Sequence, residues 1–412
     1  MKKVIALLLC LVLVMGTLTA CGSSSTSSTS GGNTTNTASG SATTTTGNTA
    51  SGTTSTSSDG TIKLGMLAPL TGDYAEYGKG FQVAAQMAID EINAKGGANG
   101  HKLSIEVKDS AGDPVTSSTL CTEFAEDDSV MAIVGDFTSG CCKANATICD
   151  QYGIVQLSPT ASASDYASMS KYCFSIMGRQ DIEAPYLASV VLQKKLQATN
   201  IAVIRVDSDW GKSCYDNFIA KANEIGLKVS VETYAAGEKD FSSIITKVKS
   251  TNPDVLVVMD QGDAVSAIFN QADAAGWKIQ HVALGPGTSS QLADQLTDKS
   301  NLIVTTPFFF DESNADLMKW YNEFTTKAGF NPTIHPACAY DCVYLLARAI
   351  ENIGSGEITR AAIQDKLQNG GTYTGLTGDI TFTENGDIAR NYEICTLKDG
   401  KWSILEGFDY GK

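Results

Sequence analysis

Nucleophilic or metal-assisted chemistry in this 412-residue chain would have to draw on three histidines and eleven cysteines. His101 falls in a predicted loop before a strand, and neither His281 nor His335 lies in a recognisable catalytic setting. No G-x-S-x-G or H-E-x-x-H occurs, so a hydrolase lacks both an activated nucleophile and a metal. Cys338 and Cys342 share a helix face near His335, but a closed zinc site needs a fourth ligand and none is near. Packing on a helix is the simpler reading. The expectation is a protein with no enzymatic activity, no metal and no cofactor.

Other loops carry a richer pattern. Asp136-Phe137-Thr138-Ser139-Gly140 and Ser158-Pro159-Thr160-Ala161-Ser162 offer hydroxyls, free backbone N–H groups and a helix start, which is how proteins hold small anions. Asp207-Ser208-Asp209-Trp210-Gly211 and Asp260-Gln261-Gly262 offer acids and a ring, which suit a cation. Ala68-Pro69-Leu70-Thr71-Gly72 and then Tyr77 follow the first strand. Together the two rims describe a site for a zwitterion. Each member also has a plainer role. Ser139 and Ser162 could cap helices, Tyr77 and Trp210 could pack between lobes, and Asp260 could be a solvated turn residue.

Positioning these loops requires elements whose ends converge. From Thr61 onward short β-branched runs alternate with amphipathic stretches. Strands are predicted near 62–67, 103–107, 131–135 and 154–157, with helices near 78–95, 117–126 and 139–152. The first of these helices places Phe81, Ala84, Ala85, Ala88, Ile89 and Ile92 on one face. After Arg179 the rhythm restarts: helices near 183–197, 212–225, 241–250 and 264–275 alternate with strands near 201–206, 228–232, 254–259 and 281–284. Such alternation implies right-handed crossovers and parallel sheets covered on both faces, hence two α/β lobes. Ligands of such sheets bind beyond the carboxyl ends of the strands. The remainder holds helices near 316–328 and 336–353 and short β segments at 379–382, 392–397 and 402–405. A third lobe is possible from length alone, but no linker separates this tail.

The beginning of the chain is of another kind. Lys2 and Lys3 precede an apolar run, Val4 to Met15, too short for a permanent membrane span and suited to a secretory signal. Leu18-Thr19-Ala20-Cys21 resembles the lipobox of bacterial lipoproteins, which implies removal of 1–20 and lipidation of Cys21. Residues 22–58 contain only Gly, Ser, Thr, Asn and Ala. Nothing there can bury apolar surface, so 21–59 is expected to be a disordered tether, with ends on the order of 35 Å apart. Loss of Lys2 and Lys3 takes the formal charge of −15 to −17. An acidic body argues against nucleic acid and against adhesion to anionic lipid. The nine remaining cysteines cannot all pair, and most lie in apolar runs, as buried free thiols do.

Tyr77-Gly78-Lys79-Gly80, the stretch Ile89 to Gly97, the turn Asp109 to Pro114, Gly153-Ile154, Ser158-Pro159, Gly237 to Phe241 and Gly285-Pro286 resemble the leucine-isoleucine-valine-binding branch of periplasmic binding proteins. The likeness spans Thr61 to about Leu405. It implies a type I fold, two doubly wound parallel-sheet α/β lobes joined by a three-strand hinge. The implied crossings are 177–180, 305–308 and 386–390, dividing the body into a first lobe of 60–179 plus 308–388 and a second of 180–307 plus 389–412. The resemblance also implies amino-acid capture for an ABC importer, with a membrane permease as partner and a monomeric body, while the lipobox implies a lipid anchor on the outer face of the membrane, of Gram-positive type. Residue by residue, it implies a ring at Tyr77, a carboxylate held by Ser139 with Ser158, Thr160 and Ser162 in the next loop, and second-lobe contacts from Trp210 and Gln261. It fails at Gly287, which stands where the family has its amino-group carboxylate; Asp260 is the nearest replacement. Ala111 and Thr138 occupy the places of the family's disulfide. A ligand-sensing receptor of the same fold, or a binder of another small carboxylate or amide, stays open.

Overall fold

The computed structural model describes residues 60–261, 263–285 and 288–405. The leader, the tether with Cys21, and Gly287 lie outside the described residues. The body begins with β1 (Thr61–Ala68), α1 (Ala75–Ala94), β2 (Lys102–Asp109), α2 (Pro114–Glu126), β3 (Val130–Val134), α3 (Ser139–Tyr152), β4 (Val155–Ser158) and β5 (Cys173–Ser175). These strands form one parallel sheet in the order β2-β1-β3-β4-β5. β3 and β4 are buried along their whole lengths. Strands covered on both faces read as continuous apolar runs, and the parallel arrangement follows from helical crossovers on either side.

The second unit runs α4 (Gln180–Tyr186, continued as a π-helix to Lys195), β6 (Asn200–Val206), α5 (Asp209–Glu224), β7 (Lys228–Tyr234), α6 (Ser242–Lys249), β8 (Val255–Met259), α7 (Asp263–Ala274), β9 (Gln280–Leu284), α8 (Ser290–Gln295) and β10 (Leu302–Thr306). Then follow α9 (Ala315–Ala328), α10 (Ile334–Glu351), α11 (Arg360–Gln368), β11 (Tyr373–Gly375), β12 (Gly378–Ile380), β13 (Glu393–Lys398) and β14 (Lys401–Ile404). The second sheet is ordered β14-β13-β10-β9-β8-β6-β7, parallel from β7 to β10 and antiparallel where β13 and β14 close its edge.

The tail after Pro307 divides between the two sheets. The apolar faces of α10 and α11 join the core of the first sheet with Phe81, Ala84, Ala88 and Ile92 of α1. Ile394, Cys395 and Leu397 of β13 join the core of the second. Arg360 at the start of α11 donates to the carbonyls of Val130, Ala125 and Asp127 at 2.9, 2.9 and 2.8 Å, fastening the late helices to the end of α2 and the start of β3.

Several elements differ from the spacing-based expectation. The helix expected from Ser117 begins at Pro114, because Asp113 caps the Thr116 N–H at 2.8 Å and Pro114 occupies the first turn, where its missing N–H costs nothing. The helix expected at 183–197 starts at Gln180 and contains Pro185, beyond which it widens into the π-helix. β5, β10, α8, α11 and β11 were not expected; β5 and β11 are three residues each, too short for a periodic signal. Nine cysteines, Cys121 to Cys395, are buried free thiols. Among the described residues no helix is long and apolar enough to cross a membrane.

Candidate functional site

In a doubly wound sheet the loops on either side of the point where strand order reverses splay apart and leave a crevice. In the first sheet that point lies between β1 and β3, which places the loop 69–74 beside 135–138. In the second it lies between β6 and β8, which places 207–208 beside 260–261. Residues from all four loops line one cavity of about 260 Å3.

The first lobe contributes Tyr74, Phe137, Thr138, Ser139, Gly140 and Thr160 to that cavity. The helix cap of α3 is Thr138, whose hydroxyl accepts from the Cys141 N–H, so Ser139 is not needed for capping. Its Oγ instead accepts from the Ala163 N–H at 3.3 Å, while the residue stays on the cavity wall at the positive end of the helix. Thr160 donates to the Phe137 carbonyl at 2.7 Å. Gly135, at φ +115°, lets β3 turn into this loop: a Cβ there would lie 2.0 Å from the Leu67 carbonyl oxygen.

Two of the expected first-lobe residues stand behind the wall. Tyr77 stacks on Phe137 with ring centroids 4.6 Å apart and meets His335 edge-on; the ring that lines the cavity is Tyr74, three positions earlier on the turn entering α1. Ser158 is fully buried. Its hydroxyl donates to the Asp136 carbonyl at 3.0 Å and accepts from the Thr160 and Ala161 N–H groups, so it shapes the loop that presents Thr160.

The second lobe contributes Asp207, Asp209, Trp210, Asp260 and Gln261. Ser208 caps α5 through the Gly211 N–H, which fixes Trp210 in the first turn with 8% of its surface exposed. Its Nε1–H donates to Ser162 Oγ at 3.0 Å, a hydrogen bond from one lobe to the other. Ser162 also accepts from Gln180 Nε2 at 3.2 Å. Further contacts join the lobes; near the cleft, the Ser164 N–H donates to Ser213 Oγ at 3.3 Å, and Lys239 Nζ lies 3.7 Å from Asp73 Oδ1. Gly285, at φ +115°, lies against the indole, and a Cβ there would approach it to 2.4 Å.

Asp260 is not a solvated turn residue. It is 5% exposed, accepts from the Tyr234 hydroxyl and from the Gln261 N–H at 2.7 Å, and burial pushes its carboxyl up to about 6. Tyr234 in turn is held protonated, by burial first and by Asp260 second. No lysine or arginine is among the residues lining the cavity. A carboxylate group entering it meets hydroxyls, N–H groups and a helix N-terminus on one side, while an ammonium meets rings and acid on the other.

The histidines are dispersed. His281 stacks on Phe269 in the second core, His101 lies beside the Gly60 carbonyl, and His335 shares a hydrogen bond with Thr333 in α10. Burial pulls His335 down to about 3, which keeps it neutral. Among the described residues no group of His, Cys, Asp or Glu is placed to hold a metal.

Comparison with known proteins agrees with this geometry. The sequence pattern of the family described as "Periplasmic binding protein" matches residues 61–401. The Leu/Ile/Val-binding protein homolog 1 of Brucella abortus is 29% identical over 355 residues, covering 84% of this chain and 93% of the relative. A leucine-, isoleucine-, valine-, threonine- and alanine-binding protein of Pseudomonas aeruginosa is 27% identical, covering 82% and 90%. Among solved structures, the branched-chain amino acid transporter substrate-binding protein LivJ of Streptococcus pneumoniae, in complex with isoleucine, superposes with a TM-score of 0.75 at 26% identity, covering 84% of this chain and 99% of that one. The leucine-binding protein LivK of Thermotoga maritima shares the fold with a TM-score of 0.77 at 22% identity, covering 84% and 97%.

Proposed function

Because the chain belongs to the periplasmic binding protein family, we propose that it captures an α-amino acid of the branched-chain type, or an analogue, outside the cell and delivers it to an ABC permease. The carrying observation is the pair of opposed rims around one cavity, hydroxyls and amides from the first lobe facing acid and indole from the second. The reading is supported by relatives whose names state branched-chain amino-acid binding. In it the ligand carboxylate lies against Ser139 and Thr160 at the start of α3, and the ammonium faces Asp260, which replaces the acid missing at Gly287.

The mechanism is a shift of population. A ligand that touches both lobes stabilises the joined form by its differential affinity for that form, and the permease reads the joined form. Binding and release suffice, and the protein has no chemical step of its own. The body works as a monomer in two lobes, 60–179 plus 308–388 and 180–307 plus 389–412. A lipid on Cys21 holds it at the outer face of the membrane.

Calorimetry with a panel of amino acids tests the reading. Wild-type protein should bind at least one branched-chain amino acid, and Ser139→Ala should weaken that binding; no binding by any α-amino acid, or unchanged affinity in the variant, refutes the assignment of the carboxylate.

A further inference from the structure

Directly after the second crossing the chain borders a cavity that the amino-acid site does not use. It measures about 320 Å3, against about 260 Å3 for the cavity between the two rims, and shares no lining residue with it. An apolar space of roughly 150 Å3 already holds benzene, so this one has room for a larger organic molecule. Its walls include Phe309 and Phe310, Tyr321 of α9 and Trp402 of β14. The two adjacent phenylalanines divide between the halves of the body. Phe309 packs, with Trp402, against the core of the second sheet, and Phe310 packs against the core of the first. Phe310 also lies nearly parallel to Trp320 at 6.2 Å and meets Tyr321 edge-on at 5.1 Å. Four rings, fastened to both halves, thus line one space.

The charged members of the lining are Asp294, Glu312 and Lys401. All three are exposed, so they stand at the rim, where two acids against one lysine leave an excess of negative charge. The Trp402 Nε1–H already donates to the Ser289 carbonyl at 2.8 Å, which leaves the indole its π-surface to present. None of the buried polar atoms that lack a partner among the described residues belongs to this lining. A primary ammonium entering the space would therefore give up water without gaining fixed acceptors among the rings. An anion would meet an acidic rim. A quaternary ammonium has no N–H to satisfy; ring faces attract its charge, and its methyl groups pack on them.

We propose that this cavity binds a quaternary ammonium cation, caged by Phe309, Phe310, Tyr321 and Trp402 and drawn in by Asp294 and Glu312. Because the rings are fastened to both halves, the occupant also stabilises the joined form. The cation and the amino acid then tighten one another's binding by the same factor. The cavity stands apart from the amino-acid reading, and only this coupling rests on it.

Calorimetry with choline and its uncharged carbon analogue, 3,3-dimethylbutan-1-ol, provides the test. Wild type should bind choline at least fivefold tighter than the alcohol. Trp402→Leu should weaken choline at least tenfold while leaving the affinity for leucine alone within about twofold. If that variant fails to fold, Asp294→Asn combined with Glu312→Gln, both exposed, should weaken choline at least threefold. Saturating leucine fills the main cavity and should tighten choline. Displacement of choline by leucine would place the cation against Trp210 and Asp260 instead and overturn the inference. Equal binding of the alcohol, no choline binding at millimolar concentration, or choline affinity unchanged in the variants also overturns it, and leucine without effect on choline overturns the coupling. Should wild type bind no amino acid, the amino-acid reading falls, while the response of choline binding to Trp402→Leu still decides the cavity.

Discussion

Removing the Ser162 hydroxyl should weaken ligand binding more than its size suggests, because of what it leaves behind. Ser162 Oγ accepts from Trp210 Nε1 at 3.0 Å and from Gln180 Nε2 at 3.2 Å. Gln180 Nε2 keeps a second acceptor in Glu183, so it is not orphaned by Ser162→Ala. Trp210 Nε1 has no such second bond and becomes a buried donor without a partner. A group left in that condition costs about 1–3 kcal/mol. The cost falls only on the form in which the lobes meet, since water satisfies both groups when they part. Affinity for leucine should therefore fall about 5- to 150-fold. In a Trp210→Phe background the orphan no longer exists, and the added effect of Ser162→Ala should shrink by about 1 kcal/mol. Titration calorimetry on the wild type, both single variants and the double variant closes the cycle. Losses that add to within about 0.3 kcal/mol, or Ser162→Ala binding as tightly as wild type, would show that this bond does not join the lobes in the liganded form.

Gly285→Ala should reduce leucine affinity at least tenfold and also lower the unfolding midpoint, because its Cβ would meet the indole of Trp210 at 2.4 Å, Trp210 packs into the core of the second sheet, and φ +115° strains a residue that carries a Cβ; calorimetry and thermal melting read the two quantities. Arg360→Met should lower stability in urea by roughly 2–4 kcal/mol, since two buried carbonyls and a part-buried one lose charge-assisted donors at once, while affinity changes little. The pH dependence has an unusual sign. The carboxyl of Glu183 is raised from 4.5 to about 7 in the folded protein, so the native state binds more protons than the unfolded chain between those values. The unliganded protein should accordingly lose stability as pH rises from about 4.5 to 7, and the difference in melting temperature between wild type and Glu183→Gln should follow that window.

The sequence carried the alternation of strand and helix, and with it the two-sheet architecture, because parallel strands buried on both faces must be continuous apolar runs, as in Val130–Val134 and Val255–Met259. It also carried the loops of the site, since ligand positions in such sheets follow strand ends. Ser139, Thr160, Trp210, Asp260 and Gln261 do converge on one cavity, and Ser162 lines another, small cavity that shares Thr160, Trp210 and Gln261 with it. What the sequence could not decide was which side of each loop faces the crevice. Tyr74 and Tyr77 are both aromatic and one turn apart, and only the entry angle of α1 sends Tyr74 to the cavity and Tyr77 behind Phe137. Ser158 and Ser139 look alike in sequence, yet one ties its own loop and the other walls the site. Glu183 gave no signal at all, because a glutamate in the first turn of a helix is ordinarily a solvated charge near the dipole. Thr305, which donates to it, lies 122 residues away in sequence, and only the folded chain brings the two together.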